Sequence, residues 1–247
     1  MADRTASRGA SSRDRWAEQI AALDGASAPR RSRKAPITVD RILDTAFRLI
    51  EADGFDALTM RRVAAELQTG PASLYAHVRN KAELDDLLIG ALCARVKLPT
   101  PDPVRWQAQL IEICAQLRDQ FLHYPGISRA ALAAAPNSLD TLRINEGMLA
   151  ILLAGGVSTQ SAAWTVDAVY LYVSAYSLEA SMRQNVGPAA NGRAPDRDEM
   201  AARLSMLPPD RFPNTVAYAR ELTSGDGHDR FDFTLELLLR GVAPATR

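Results

Sequence analysis

Residues 59–81, TMRRVAAELQTGPASLYAHVRNK, constrain the fold more than any other part of the chain. Thr59 is a good N-cap, and Val63, Ala64 and Leu67 then recur at the spacing of one buried helix face. Gln68-Thr69-Gly70 breaks that pattern. Gly70-Pro71 restarts it, with Gly at the cap and Pro at the first helical position, where its missing N–H costs nothing. Leu74 and Val78 are spaced to face inward, which leaves Ser73, Tyr75, Ala76 and His77 to look outward. A helix, a tight break and a short second helix with small or hydrogen-bonding outward residues is the plan of a helix-turn-helix DNA reader.

That plan assigns roles by residue. Thr59 and Arg61 open the first reader helix and are expected at phosphate. Pro71, Ala72 and Ser73 begin the second, where base edges are met: a serine hydroxyl serves several bases, and alanine or proline carbons touch a thymine methyl. Tyr75 can reach a phosphate while its ring packs, and Lys81 directs a charge toward the same backbone. His77 contacts DNA or packs. No Arg, Asn or Gln stands at the outward recognition positions, so base reading rests on few contacts and phosphates do the positioning.

The neighbouring segments complete a three-helix unit. Thr38 caps a helix whose apolar face is Ile42, Leu43, Ala46, Phe47, Leu49 and Ile50, and Gly54 ends it. Asn80 starts a connecting helix with a capping box to Glu83 and a stripe of Leu84, Leu87, Leu88, Ala91 and Leu92. Helices this short are marginal alone, so the unit must stand by a shared core. Upstream, residues 1–36 form a polar arm. Trp16, Ile20 and Leu23 there suggest a short amphipathic helix or none, and Arg30, Arg31, Arg33 and Lys34 form a basic cluster that follows DNA or is merely solvated. The net charge of zero does not oppose a nucleic-acid partner, because phosphate binding needs local positive charge and not a basic average.

The runs LTMRRVAAEL, QTGPASLYAHV and RNKAELDDLL resemble the DNA-binding domain of TetR-type transcriptional regulators. The carriers are Leu74-Tyr75-Ala76-His77-Val78, which matches the end of that family's recognition helix, and Asn80-Lys81-Ala82-Glu83-Leu84, which matches the opening of the next. The resemblance covers residues 39–92 closely. It departs at Gln68, where the family's turn usually has Gly, so a non-Gly residue is expected to hold φ > 0 there. It departs also at Ala76, where an aromatic is common.

Beyond Pro99, Pro101 and Pro103 the chain reads as helix throughout, and the fold class is all-α: a three-helix reader and a larger helical domain. Helical patterns cover residues 104–122 (Trp106, Leu110, Ile113, Leu117, Phe121), 139–154, 159–186, 196–206, a segment near 216–222, and 229–241. The organisation is an arm over 1–36, a reader over 37–82 and a ligand-binding and dimerisation domain over 83–247. Leu207-Pro208-Pro209-Asp210-Arg211-Phe212-Pro213 and the closing Arg230-Phe231-Asp232-Phe233 with Glu236, Leu238, Leu239 and Gly241 resemble the tetracycline-repressor-type C-terminal domain. In that family the long helix and the final helix pack against their copies. Both are apolar on more than one face here, as a dimer or a helix buried in its own subunit requires.

An apolar bundle with a few polar groups is where a small ligand sits. Arg143 and Asn145 on one helix, and Trp164, Asp167, Tyr170, Tyr172 and Tyr176 on the next, line such a site or serve packing. His123 lines a cavity or ends its helix. Cys93 and Cys114 are buried thiols or a redox pair.

No catalytic frame, Gly-rich phosphate loop or metal-spaced Cys/His set occurs, so no enzyme activity, cofactor or metal is expected. The tetracycline-binding relatives use a metal with their ligand, but no metal ligand can be matched here. A hydrophobic share of 47% with 23% charged residues is that of a soluble globular protein, and no apolar run approaches the ~20 residues of a membrane span. The expected partners are an operator DNA duplex, a second copy of the chain and a small-molecule effector, in the cytoplasm. The reading is a ligand-responsive regulator, a repressor, released from a palindromic operator. The alternatives are an all-α small-molecule-binding or enzymatic protein, and a DNA-packaging protein.

Overall fold

The computed structural model describes residues 36–133, 138–185, 197–225 and 227–244. The basic cluster and the short helix read around Trp16 lie outside them. Residues from Thr38 onward form one compact unit. Helix α1 (Val39–Asp53) starts where the Thr38 hydroxyl accepts the Arg41 N–H at 3.2 Å. It stops at Gly54, whose left-handed backbone (φ 79°) lets its N–H reach the Ile50 carbonyl at 2.7 Å. A 3-10 turn (Phe55–Ala57) leads to α2 (Met60–Glu66) and α3 (Pro71–Tyr75). Ile42, Ala46 and Ile50 of α1 close with Leu58, Val63, Ala64, Leu74 and Val78 into the reader's core, all buried.

The connecting helix α4 (Lys81–Ala94) opens as expected, with Asn80 Oδ1 accepting the Glu83 N–H at 2.8 Å. The box closes one residue early: the Glu83 carboxylate accepts the Arg79 N–H at 2.8 Å. Leu84, Leu88 and Leu92 are buried, and so are Ile89 and Cys93. One face of α4 meets the reader and another the C-terminal helices, so its burial exceeds a single stripe.

Helix α5 (Trp106–His123) is the centre of the C-terminal region and packs on α4, α7, α8 and α12. Trp106, Leu110, Ile113, Leu117 and Phe121 are all buried, as their spacing required. Around it stand α6 (Ser128–Ala133), α7 (Leu139–Ala154), α8 (Thr159–Asn185) and α12 (Asp229–Val242). In α8 the buried hydroxyls of Ser174, Ser177 and Ser181 each donate to the carbonyl four residues earlier at 2.8–2.9 Å, so small polar residues pack without stranding a donor. Helices α9 (Arg197–Ser205), α10 (Pro213–Ala217) and α11 (Ala219–Thr223) pack chiefly on one another. The single segment expected near 216–222 is therefore two short helices that meet at Tyr218. No strand occurs among the described residues, and no helix among them is long and apolar enough to cross a membrane.

Candidate nucleic-acid interface and ligand cleft

Helix α2 ends in a Schellman motif: the Gln68 N–H donates to the Ala65 carbonyl and the Thr69 N–H to the Ala64 carbonyl, both at 3.0 Å. That motif needs a left-handed residue after the helix, and Gln68 supplies it at φ 52°, the one positive-φ non-glycine among the described residues. The turn sets α3 so that Pro71, Ala72, Ser73, Tyr75 and His77 are exposed beside Thr59 and Arg61, while Leu74 and Val78 are buried. Tyr75 keeps 49% of its surface open. The Thr59 hydroxyl accepts the Arg62 N–H at 3.2 Å, which leaves its own proton to donate to a phosphate oxygen.

Lys81 is less available than its spacing implied. It is half-buried, with Nζ 4.0 Å above the centre of the Phe55 ring, and it is paired with Asp85. Burial raises the Asp85 carboxyl above its usual pKa, and the hydrogen bond from Lys81 opposes that shift. Arg62 pairs with Asp53, and Arg48 Nη1 lies 3.6 Å from Glu66. Such surface pairs are worth about 0–1 kcal/mol, so phosphate can take these cations at small cost.

The reader is fastened to the C-terminal region at the turn after α5. The Phe55 N–H donates to the Pro125 carbonyl at 3.0 Å, and Arg129 pairs with Asp56. The Phe47 and Tyr124 rings stand 4.6 Å apart, and Arg95 lies over both while donating to the Tyr124 hydroxyl at 2.9 Å. His123 belongs to this seam. It is exposed, sits 3.5 Å from Glu51 and stands outside the lining of the cleft between α6, α7 and α8, because the last turn of α5 presents it to solvent. It is the last residue of α5, the helix-end position given as its alternative.

Between α6, α7 and α8 lies a cleft of two adjoining cavities, about 530 and 300 Å³, that share Asn145, Ala163 and Val166. The larger adds Leu142, Arg143, Glu146 and Leu149. The smaller adds Ala131, Leu132, Thr141, Asp167, Tyr170, Leu171 and Ser174. Four sequence candidates, Arg143, Asn145, Asp167 and Tyr170, thus share one cleft. Burial pushes the Tyr170 hydroxyl well above its usual pKa, so it stays protonated and able to donate.

Trp164 is outside the lining, with 69% of its surface exposed. Tyr172 and Tyr176 face the other way and pack around Phe231, their hydroxyls meeting the Arg230 carbonyl at 3.1 Å and His228 Nδ1 at 3.0 Å. Thr141, Glu146 and Ser174 are lining residues that the sequence reading passed over. Their signal was helical arithmetic: they stand three or four positions from Arg143, Asn145 or Tyr170.

Leu171 and Met182 of α8 and Phe233 and Leu237 of α12 form exposed apolar positions, each with more than half of its surface open. Cys93 and Cys114 are free and buried, with thiols pushed up to about 11 and about 12 by desolvation. No group of three or more His, Cys, Asp or Glu that could hold a metal converges among the described residues.

Comparison with known proteins agrees with both halves. The family model for bacterial regulatory proteins of the tetR family matches residues 42–85, and that for the tetracyclin repressor-like C-terminal domain matches residues 98–245. The HTH-type transcriptional repressor DrrR1 of Streptomyces coeruleorubidus is 28% identical over 228 residues, 87% of this chain and 80% of the relative. The Escherichia coli tetracycline repressor protein class D is 29% identical over 213 residues, 84% of this chain and 89% of the relative.

Among solved structures, the TetR family protein ActR of Streptomyces coelicolor in complex with (S)-DNPA superposes with a TM-score of 0.75 at 38% identity, covering 85% of this chain and 98% of that one. The same protein in complex with actinorhodin gives 0.75 at 39% identity, covering 84% and 96%. With its reader and its helical C-terminal region both accounted for, the chain belongs to the TetR family, the ligand-responsive, DNA-binding and non-enzymatic regulators of bacterial transcription.

Proposed function

We propose that this regulator is a homodimeric repressor that binds a near-palindromic operator and leaves it when a small organic molecule fills the cleft between α6, α7 and α8. One observation carries the reading: α4 begins at the exposed reader and runs directly against α7, which walls the cleft. A change in the cleft therefore reaches the reader through α4, alongside the seam that Arg129 of α6 makes with Asp56. Thr59, Arg61, Tyr75, His77 and Lys81 hold phosphate or the groove edge, and Pro71, Ala72 and Ser73 meet bases.

The cleft's apolar walls, Leu142, Leu149, Ala163 and Val166, suit a largely apolar ligand, and Asn145, Asp167 and Tyr170 orient its polar edges. Organic ligands bound to ActR support a ligand of that general kind here. Trp164 joins Leu171, Met182, Phe233 and Leu237 as the face for a second copy, since so many exposed large apolar residues on two helices are costly in water. The chromosome is the substrate, so the protein works in the cytoplasm.

The test is operator affinity on DNA from upstream of the chain's own gene, with and without ligands shown independently to bind. DNA and ligand must weaken each other by the same factor, usually ~1–3 kcal/mol. A ligand that binds tightly in the cleft and leaves operator affinity unchanged refutes release by that ligand. Failure to retard any fragment of that DNA refutes the reader.

A further inference from the structure

We propose that Arg143 is the positioning residue that couples the ligand cleft to the reader, and that it answers to an anionic group on the occupant. This rests on the cleft-and-reader function proposed above. Helix α4 ends at Ala94, where the Cys93 carbonyl accepts the Val96 N–H at 3.1 Å, and the carbonyls there carry the negative end of its dipole. Arg143 reaches across from α7 to meet them: Nη2 donates to the Cys93 carbonyl at 2.7 Å and the Val96 carbonyl at 3.0 Å, with that of Ala94 at 3.5 Å.

The same side chain lines the larger cavity, and it is the only cation among the described residues lining either one. Its other partner is loose, Nε standing 3.9 Å from Asp140, and the two carboxylates that line the cleft, Glu146 and Asp167, are exposed to solvent and screened.

The two helices meet without slack on either side of that clamp. A Cβ on Gly90 would lie 2.8 Å from Ser138 Oγ, and one on Gly147 would lie 2.7 Å from Leu98 Cδ1. Between these points Thr141 Oγ1 lies 3.8 Å from Cys93 Sγ. The Gly90 contact is a fulcrum, and Arg143 holds the end of α4 beyond it. Gly90 stands nine positions after Lys81, a lever of about 13.5 Å at ~1.5 Å per residue.

An arriving carboxylate or phenolate adds the attraction of a full negative charge to the bond the guanidinium makes, and a carboxylate can take the fork bidentately. The guanidinium then leaves the carbonyl end of α4, and the helix can pivot at Gly90 and shift the reader. A neutral ligand has no such advantage over the carbonyls it must displace.

The experiment uses the full chain, its operator, and two probes of one shape: naphthalene-2-carboxylate and naphthalene-2-carboxamide. Probe occupancy is read by fluorescence and by protection of α7 and α8 from hydrogen exchange, and DNA by anisotropy. With the parent, the carboxylate should weaken operator binding about tenfold and the carboxamide less than about twofold at equal occupancy. Arg143→Met, which has no clamp to release, should bind operator about tenfold more weakly than the empty parent and lose the further response to the carboxylate. Arg143→Lys, which keeps the charge without the fork, should retain part of it.

The proposal is overturned if Arg143→Met responds as the parent does, if the carboxamide acts as strongly as the carboxylate, or if the carboxylate does not enter the cleft. Should Arg143→Met prove unstable, equal action of the two probes on the parent still decides. A parent that binds no operator overturns the function itself; a parent that binds operator and releases it without regard to probe charge overturns only the role of Arg143.

Discussion

Gln68 holds a left-handed backbone at φ 52°, where a residue with a Cβ is strained by about 1–2 kcal/mol. Gln68→Gly should therefore stabilise the protein by about 1 kcal/mol, and the β-branched Gln68→Val should destabilise it by a similar amount, both read from urea midpoints. At Lys81 the side chain must exchange Asp85 for phosphate. Lys81→Ala should lower the slope of log affinity against log salt by about one unit with the fold intact, and Asp85→Asn, by freeing the lysine, should tighten binding at low salt. An unchanged slope removes Lys81 from the interface.

The buried thiols test the interior. Their pKa values, raised to about 11 for Cys93 and about 12 for Cys114, keep both protonated at pH 8, so neither should react with a disulfide reagent until denaturant opens the chain. Rapid labelling of the native protein would contradict the burial.

Among the elements, α12 shows how one helix serves two surfaces. Phe231 is fully buried, with the Arg118 guanidinium 4.7 Å from its ring centre and Tyr172 stacked at 5.5 Å. Phe233, two residues on, is exposed. Phe231→Ala should cost about 3–5 kcal/mol, since the cavity cannot collapse between the Tyr172 and Tyr176 rings of α8 and the Arg118 side chain of α5. Phe233→Ala should leave the subunit's own stability within about 0.5 kcal/mol. Chemical denaturation at low protein concentration separates the two. Helix α4 likewise has two packed faces, which is why a period-based stripe understated its burial.

At the scale of the molecule, the exposed apolar positions on α8 and α12 predict a dimer whose two readers address two half-sites. Leu171→Glu with Leu237→Glu should yield a monomer by sedimentation and abolish operator binding, although neither residue is near the reader. Footprinting should show protected half-sites about one turn of DNA apart, or a multiple. A monomer bound to one asymmetric half-site would refute the arrangement.

Caps, breaks and short-period patterns are local, and these were readable from the chain. Thr38, Thr59 and Asn80 cap the helices they precede, Gly70-Pro71 restarts the reader, and Gln68 takes the conformation its place in the turn demands. Such features depend on neighbours within four or five positions, whose chemistry is on the same line of sequence. The rotation of a long helix is different. Helix α8 has apolar residues all round, so nothing in its own sequence told Tyr170, which enters the cleft, from Trp164, which faces out, or Tyr176, which packs on Phe231.

The partner of His123 is likewise set by packing: only the approach of α1 puts Glu51 beside it. Arg143 was legible as a cavity residue, but its hold on the carbonyls of Cys93 and Val96, nearly fifty positions upstream, exists only because α7 folds back across the end of α4. Local chemistry sets where each helix begins and ends, and long-range packing decides which side chains share a site.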